Sequence, residues 1–178
     1  GERAYTWSDE GRLLQSTSLV SGAPSAVDTI EFTYDEAGRL LSRRGVDATS
    51  TYDETWTFRY DAPLGVSAAS SPETWGLLTA VSGPDGVVTT TYDRMNRPVR
   101  SVRTIKDLAT ESEFSVIRAM TLTPGGRVVA STIETPRIGI PSLTDERIRL
   151  EHGYDRAGRL RHLGAALEGG PSEMVWEG

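Results

Sequence analysis

The sequence contains no cysteine, only two histidines and no long hydrophobic run. Without cysteine, the chain can form no disulfide bond, no thiolate zinc site and no thiol nucleophile. No apolar stretch approaches the roughly 20 residues of a transmembrane helix, and the first residues lack the pattern of a signal peptide. The formal net charge of −6 comes without the basic stripe of a nucleic-acid-binding protein. These absences predict no membrane span and no nucleic-acid partner.

The composition that is present favours short strands joined by tight turns. The 178 residues include 18 glycines and 9 prolines, and threonine, serine and valine are frequent. With 37% hydrophobic and 25% charged residues, the chain resembles an ordinary globular protein rather than a disordered one. Stretches with helical periodicity are scarce, so the composition predicts an all-β protein.

A seven-residue pattern, Tyr-Asp-x-x-Gly-Arg-Leu, recurs along the chain. One further copy is interrupted: it begins at Tyr60, resumes at Gly76, and holds the insert Ala62 to Trp75 within residues 60–78. The recurrence predicts a single array of about six hairpin units over residues 1–178. The uninterrupted copies lie at residues 7–13, 34–40, 92–98, 122–128 and 154–160.

The pattern has the chemistry of a hairpin turn. Asp-x-x-Gly is typical of a type I turn followed by a left-handed residue, the three-residue loop with a G1 bulge. With Gly38 at the bulge, Asp35 is expected to pair across the hairpin with Arg39, and Tyr34 with Leu40. Asn96 replaces the glycine in one copy, and asparagine is the next-best residue for that conformation. The turn and cross-strand positions are Tyr34, Asp35, Gly38, Arg39, Leu40, Tyr92, Asp93, Asn96, Arg97, Tyr154, Asp155, Gly158, Arg159 and Leu160.

These hairpins predict an antiparallel β-meander that forms a twisted strip or part of a β-shell or barrel. Counting back by two from each template tyrosine gives mostly apolar residues, so the face that carries the tyrosines is expected to be the packed one. Paired strands are predicted near residues 28–34 with 39–44, 87–92 with 97–106, 112–122 with 127–135, and 145–154 with 159–164.

The motif, complete at residues 34–40 and 154–160, resembles the YD-repeat (Rhs-repeat) family. The family includes bacterial Rhs polymorphic toxins, the cage proteins of insecticidal toxin complexes, and teneurins. The likeness covers most of the chain in separated units, and residues 7–13 and 122–128 depart from it at the Tyr and Asp positions. In that family the repeats form a β-strip that spirals into a hollow shell, which encloses a C-terminal toxin in the bacterial members. Since six hairpins are too few to close a cage, the chain is expected to be a piece of a larger protein or a small stand-alone relative.

The sequence offers no set of residues for catalysis. Each template aspartate is required by its turn, so the Asp–Arg pairs are better explained as cross-strand ion pairs than as acid–base groups. His152 and His162 lack further metal ligands, no serine stands in a nucleophile motif, and no histidine partner for a serine can be assigned. We therefore expect no enzymatic activity, no cofactor and no metal.

Two functions from different classes remain. The first is a structural module of the shell or stalk of a toxin-associated or cell-surface protein, whose partners are the other YD repeats of its parent or an enclosed toxin domain. The resemblance implies a secreted or cell-surface bacterial location. The second is a carbohydrate- or ligand-binding module that uses arginines and aromatic residues on an open sheet face. An isolated strip also leaves unpaired strand edges, so the isolated chain is expected either to form an edge-strand homodimer or to close on itself into a barrel-like form. The ligand-facing aromatic residues would be Trp7, Trp56, Trp75 and Trp176.

Overall fold

The protein is all-β, as the turn pattern predicts. The computed structural model describes residues 2–20, 23–49, 51–62, 74–106, 113–135, 146–167 and 173–177, which contain no α-helix. The insert predicted at residues 62–75 therefore lies mostly outside the described residues. The strands are β1 (Arg3–Trp7), β2 (Leu13–Val20), β3 (Ala23–Tyr34), β4 (Leu40–Val46), β5 (Asp53–Tyr60), β6 (Leu78–Gly83), β7 (Gly86–Tyr92), β8 (Pro98–Lys106), β9 (Glu113–Leu122), β10 (Val128–Thr135), β11 (Glu146–Tyr154), β12 (Leu160–Leu167) and β13 (Glu173–Glu177).

The strand order follows the chain from β1 to β13 without a crossover. Every strand is antiparallel to its neighbours, so the predicted meander is confirmed. The four strand pairs expected from the sequence correspond to β3/β4, β7/β8, β9/β10 and β11/β12. None of the described elements is a helix long and apolar enough to cross a membrane.

The strands divide into two compact units. The first comprises Gly1–Arg59 and Val81–Pro84, and the second comprises Tyr60–Ala80 and Asp85–Gly178. The first unit is built on β1 to β5 and the end of β6. The second begins with the interrupted copy of the motif and continues from β7 to β13.

Each hairpin carries a second irregularity beyond its turn. Tyr34 lies opposite Leu40, but the next pair is Thr33 with Ser42, so Leu41 is an extra residue in the ladder. The same slip follows the turns of β1/β2, β7/β8, β9/β10 and β11/β12. A bulge of this kind bends its strand and raises the local twist. The sequence did not predict it. The extra residues are Leu14, Leu41, Val99, Val129 and Arg161.

Few apolar side chains are fully enclosed. Among the described residues, the apolar ones in the deepest positions are Ala62 and Ala80. Phe32 and Trp56 are half-buried, whereas Tyr5 on β1 is 51% exposed. The described parts of both units consist of strands and the turns that join them, without an α-helix to cover a face of the sheet.

Candidate functional site

The turn of each complete motif is closed by its aspartate. Asp35 N–H donates to the Arg39 carbonyl at 2.9 Å, and Gly38 N–H donates to the Asp35 carbonyl at the same distance. Asp35 Oδ1 accepts the Arg39 amide at 2.8 Å, while Oδ2 accepts Arg39 Nε at 2.7 Å. Gly38 has a φ of 81°, where a Cβ would be strained. One carboxylate therefore orders the turn and holds the arginine across the hairpin.

The copies at residues 92–98 and 154–160 have the same geometry. Arg97 Nε lies 2.7 Å from Asp93 Oδ2, and Arg159 Nε lies 2.8 Å from Asp155 Oδ2. Tyr92 lies opposite Pro98, and Tyr154 lies opposite Leu160. The residues at the left-handed position are Asn96 with a φ of 60° and Gly158 with a φ of 82°.

A hydroxyl replaces the carboxylate in the two divergent copies. Ser8 Oγ accepts the Arg12 amide at 3.2 Å, and Thr123 Oγ1 accepts the Arg127 amide at 3.1 Å. The backbone bonds that close the turn are retained in both copies. The turn thus requires a side-chain acceptor at this position rather than a negative charge.

The turn hydrogen bonds lower the pKa of each motif carboxyl. For Asp35 and Asp155 the backbone amide of the arginine four residues on is the largest cause, and for Asp93 it is the Arg97 side chain. These carboxylates are ionised at neutral pH and have no proton to give as general acids. Their chemistry is that of turn acceptors.

Each template tyrosine also reaches the preceding hairpin. The Tyr34 hydroxyl donates to the Leu13 carbonyl at 2.9 Å. The Tyr92 hydroxyl donates to the Leu78 carbonyl at 2.7 Å, and the Tyr154 hydroxyl donates to the Val128 carbonyl at 2.9 Å. All three carbonyls occupy the Leu position of the motif in the hairpin before. The tyrosine is therefore a tie between successive repeats.

The template arginine makes the reciprocal contact with the following hairpin. Arg12 Nη1 donates to the Asp35 carbonyl at 3.3 Å, and its guanidinium lies 6.0 Å from the centre of the Tyr34 ring. Arg97 Nη1 donates to the Thr123 carbonyl at 3.0 Å. Arg127 lies 5.9 Å from the Tyr154 ring centre. We call the tyrosine bond and this arginine contact together the inter-hairpin contact. The sequence predicted a contact of the motif arginine within its own hairpin only. The fixed position of the arginine in the motif was the signal that could have indicated its contact with the following hairpin.

The interrupted copy still closes as a turn. Asp61 N–H donates to the Leu77 carbonyl at 3.1 Å, the counterpart of the bond from Asp35 to Arg39. Asp61 Oδ1 accepts the Gly76 amide at 2.7 Å, and Gly76 has a φ of 80°. Thr79, which is fully buried, donates its hydroxyl to the Ala62 carbonyl at 2.5 Å. The copy therefore keeps the backbone bond from its aspartate amide, while its glycine amide donates to the Asp61 side chain rather than to the Asp61 carbonyl.

The four tryptophans differ in their exposure. Trp7 is 59% exposed and Trp176 is 45% exposed, but they belong to different units. Trp75 is 65% exposed at the base of the insert. Trp56 is half-buried, with ring atoms 2.5–2.7 Å from the point where a Cβ on Gly83 would lie. Trp7 and Trp56 belong to the first unit, and Trp75 and Trp176 belong to the second.

The structure brings a serine and a histidine together, which the sequence did not predict. Ser131 Oγ and His152 Nε2 lie 3.3 Å apart, on neighbouring strands β10 and β11. Ser131 is only 4% exposed, because Met120 and Leu150 lie directly opposite it on the two neighbouring strands. An open depression of about 190 Å³ adjoins this place. A nucleophile must reach its substrate, so a buried hydroxyl has the geometry of a packing contact.

The described residues hold no group of three or more His, Asp or Glu side chains that could bind a metal ion. His152 faces Ser131, and His162 lies opposite Gly153 in the β11/β12 ladder. The two histidines therefore belong to the strand pairing of the second unit.

Comparisons with known proteins give a likeness of fold. No family model matches the sequence, and no curated protein matches it. The chain is similar to the crystal structure of TcdB2-TccC3 without its hypervariable C-terminal region, with a TM-score of 0.70 and 13% identity over 97% of this chain and 8% of that one. It also aligns with the Photorhabdus luminescens Tc holotoxin pore at 13% identity, over 95% of this chain and 11% of that one, but with a TM-score of 0.33.

Of these two alignments, the one with TcdB2-TccC3 has a TM-score high enough to indicate a shared fold, and the one with a TM-score of 0.33 does not. At 13% identity it shows a shared fold and nothing finer. The chain spans less than a tenth of the length of that solved structure. At the level of the fold alone, the likeness supports the YD-repeat resemblance found in the sequence.

Proposed function

We propose that this chain is a non-enzymatic structural module, a run of YD-type hairpins within the shell or stalk of a larger exported or cell-surface bacterial protein. Its role is to pack one hairpin against the next. The observation that carries the proposal is the inter-hairpin contact, which recurs from Tyr34 to Leu13, from Tyr92 to Leu78 and from Tyr154 to Val128. Each repeat depends on its neighbour for the partner of its tyrosine, as in other repeat proteins.

Two further observations support a place within a longer array. The fold is similar over 97% of this chain to a segment that is 8% of a toxin-complex protein. At the ends of the strand order stand β1 and β13, whose outer backbone groups are suited to pairing with further strands. In the parent protein those partners are the adjacent repeats, and the enclosed cargo is a toxin domain. In the isolated chain the same edges are available for a homodimer.

Electron cryo-microscopy of the full-length product of the gene that encodes this sequence tests the proposal. We expect residues 1–178 to continue strand by strand into a larger β-wall, with the same tyrosine and arginine contacts at both junctions. A free-standing domain joined to the rest by flexible tethers would overturn the proposal. The carbohydrate-binding alternative would instead require two exposed tryptophans on one face, and the described residues favour no such arrangement.

A further inference from the structure

Arg43 is a cation without a partner on the face that carries the tyrosines. It lies on β4, directly opposite Phe32 on β3 and Trp56 on β5. All three side chains are half-buried. Within the described residues the Arg43 side chain makes no hydrogen bond and no ion pair, and the residues directly opposite it on both neighbouring strands are aromatic.

The neighbouring arginine, Arg44, is a cation of the same sheet that does have carboxylate partners. Arg44, on the opposite face, donates from Nε and Nη2 to the two carboxylate oxygens of Asp53, at 2.9 and 2.7 Å. Its Nη1 also lies 3.6 Å from Glu31. Successive residues in a strand point to opposite faces. The polar face therefore supplies two carboxylates to its arginine, and the face of the tyrosines supplies none to Arg43.

Comparison of the repeats shows that Arg43 is not required by the hairpin. It lies opposite the residue two before the template tyrosine. The other hairpins have small or apolar side chains at this position: Ser16 opposite Tyr5, Ser101 opposite Thr90, Ser131 opposite Met120, and Leu163 opposite His152. Because a serine at this position is compatible with the hairpin, the fold does not require the Arg43 guanidinium.

Two aromatic rings near Arg43 pack against glycines. The Trp56 ring is held against the backbone of Gly83, and the Tyr52 ring lies 3.5 Å from the point where a Cβ on Gly45 would be. The nearby carboxylate, Glu54, already accepts the hydroxyl of Tyr52. Aromatic side chains on the two neighbouring strands thus adjoin a cation that forms no ion pair among the described residues.

We propose that Phe32, Arg43 and Trp56, together with Ile30, which lies two residues before Phe32 on β3 and opposite Gly45, form a docking surface for a polypeptide segment that places one carboxylate among apolar side chains. We call these four residues the Arg43 patch. Arginine and tryptophan are the residues that most often dominate binding energy at protein interfaces. A guanidinium on an apolar surface favours a carboxylate because the pair forms two charge-assisted hydrogen bonds as water is excluded. A phosphate backbone would require several cations, and this chain has a net charge of −6. The inference goes beyond the proposed structural role, since it concerns what the sheet binds.

A phage-displayed library of random dodecapeptides tests the proposal on the whole chain. Peptides are selected on the wild-type protein and counter-selected on Arg43→Ser, which installs the residue that three other hairpins carry at this position. We expect the survivors to contain an Asp or Glu flanked by apolar residues. In fluorescence anisotropy they should bind the wild-type chain at least about tenfold more tightly than Arg43→Ser. Replacing the Asp or Glu of the peptide with Asn or Gln should weaken its binding to the wild-type chain by the same factor.

Arg44→Ser is the matched control, because it removes a neighbouring cation from the opposite face. It should leave peptide binding unchanged. Circular dichroism verifies that each variant is folded, and Arg43→Gln replaces Arg43→Ser if the serine variant is unstable. The proposal is overturned if no peptide distinguishes Arg43→Ser from wild type, if the selected peptides lack acidic residues, or if Arg44→Ser loses binding equally. Tighter binding of single-stranded DNA or of a second copy of the chain than of any peptide would also overturn it.

Discussion

At the scale of single residues, two positions decide each turn. The first must accept backbone N–H groups, and a carboxylate in Asp35 or a hydroxyl in Thr123 does so. The fourth must adopt a positive φ, which glycine does in most copies and Asn96 does in one. Strand residues around the turn can vary widely because neither requirement involves them.

The Asn96 turn provides a direct test of this requirement. Replacing Asn96 with alanine should lower the free energy of unfolding by about 1 kcal/mol, because a Cβ-bearing residue without a polar side chain is strained at a φ of 60°. Replacing it with glycine should leave stability equal or slightly higher. Urea unfolding followed by circular dichroism measures both variants. Equal midpoints for the alanine and glycine variants would show that the turn places no conformational demand on this residue.

The aspartates give the protein a defined response to acid. Asp47 accepts the Thr51 hydroxyl, the Tyr52 and Thr51 amides and the Thr49 hydroxyl, and these bonds, led by that from Thr51, lower its pKa to about 2. A carboxyl whose pKa is lower in the folded than in the unfolded chain stabilises the fold above the unfolded value, near 4. That contribution is lost as the pH falls through the folded value. Stability should therefore decrease between about pH 5 and pH 2.

Unfolding by urea at a series of pH values measures this loss. Asp47→Asn should be less stable than wild type at neutral pH and should show a shallower decline in acid, because the titrating group is gone. Asp9→Asn is the control, since Asp9 makes no hydrogen bond among the described residues. An unchanged acid slope in Asp47→Asn would contradict the assignment of the pKa shift to this loop.

At the scale of secondary-structure elements, each hairpin is stabilised by contacts with the hairpins before and after it. The tyrosine of one hairpin bonds the Leu-position carbonyl of the hairpin before, and the arginine of that earlier hairpin contacts the next turn. The bonded carbonyl belongs to the residue at which the strand register slips. The slip and the tyrosine bond therefore occur together at the Leu position of the motif.

Removal of one hydroxyl isolates this contact. Tyr34→Phe should lower the free energy of unfolding by about 0.5–1.5 kcal/mol, since the Leu13 carbonyl loses its donor while the ring remains. Tyr5→Phe is the matched control in the same unit, because Tyr5 is 51% exposed and its hydroxyl makes no hydrogen bond among the described residues. Urea unfolding compares the two variants. If both changed stability by the same amount, the tie between hairpins would contribute nothing.

At the scale of the whole molecule, the sequence predicts what is local. The turns at residues 34–40 and 154–160 follow from Asp and Gly at fixed spacing, and the all-β meander follows from their recurrence. The second bulge at Leu41, the reach of Arg12 to Asp35 and the pairing of Ser131 with His152 do not follow. Each depends on the register between strands or hairpins, which the turn pattern alone leaves undetermined.

The turn at Asp61 and Gly76 still closes through the bond from Asp61 N–H to the Leu77 carbonyl, although fourteen residues, 62–75, separate Asp61 from Gly76. A turn that closes around such an interruption allows new sequence to enter there while β5 and β6 remain neighbours in the strand order. Turns of this kind are places where a lineage of repeat proteins can acquire new segments one at a time. They are also the places where an engineer could graft a peptide epitope and leave the sheet intact.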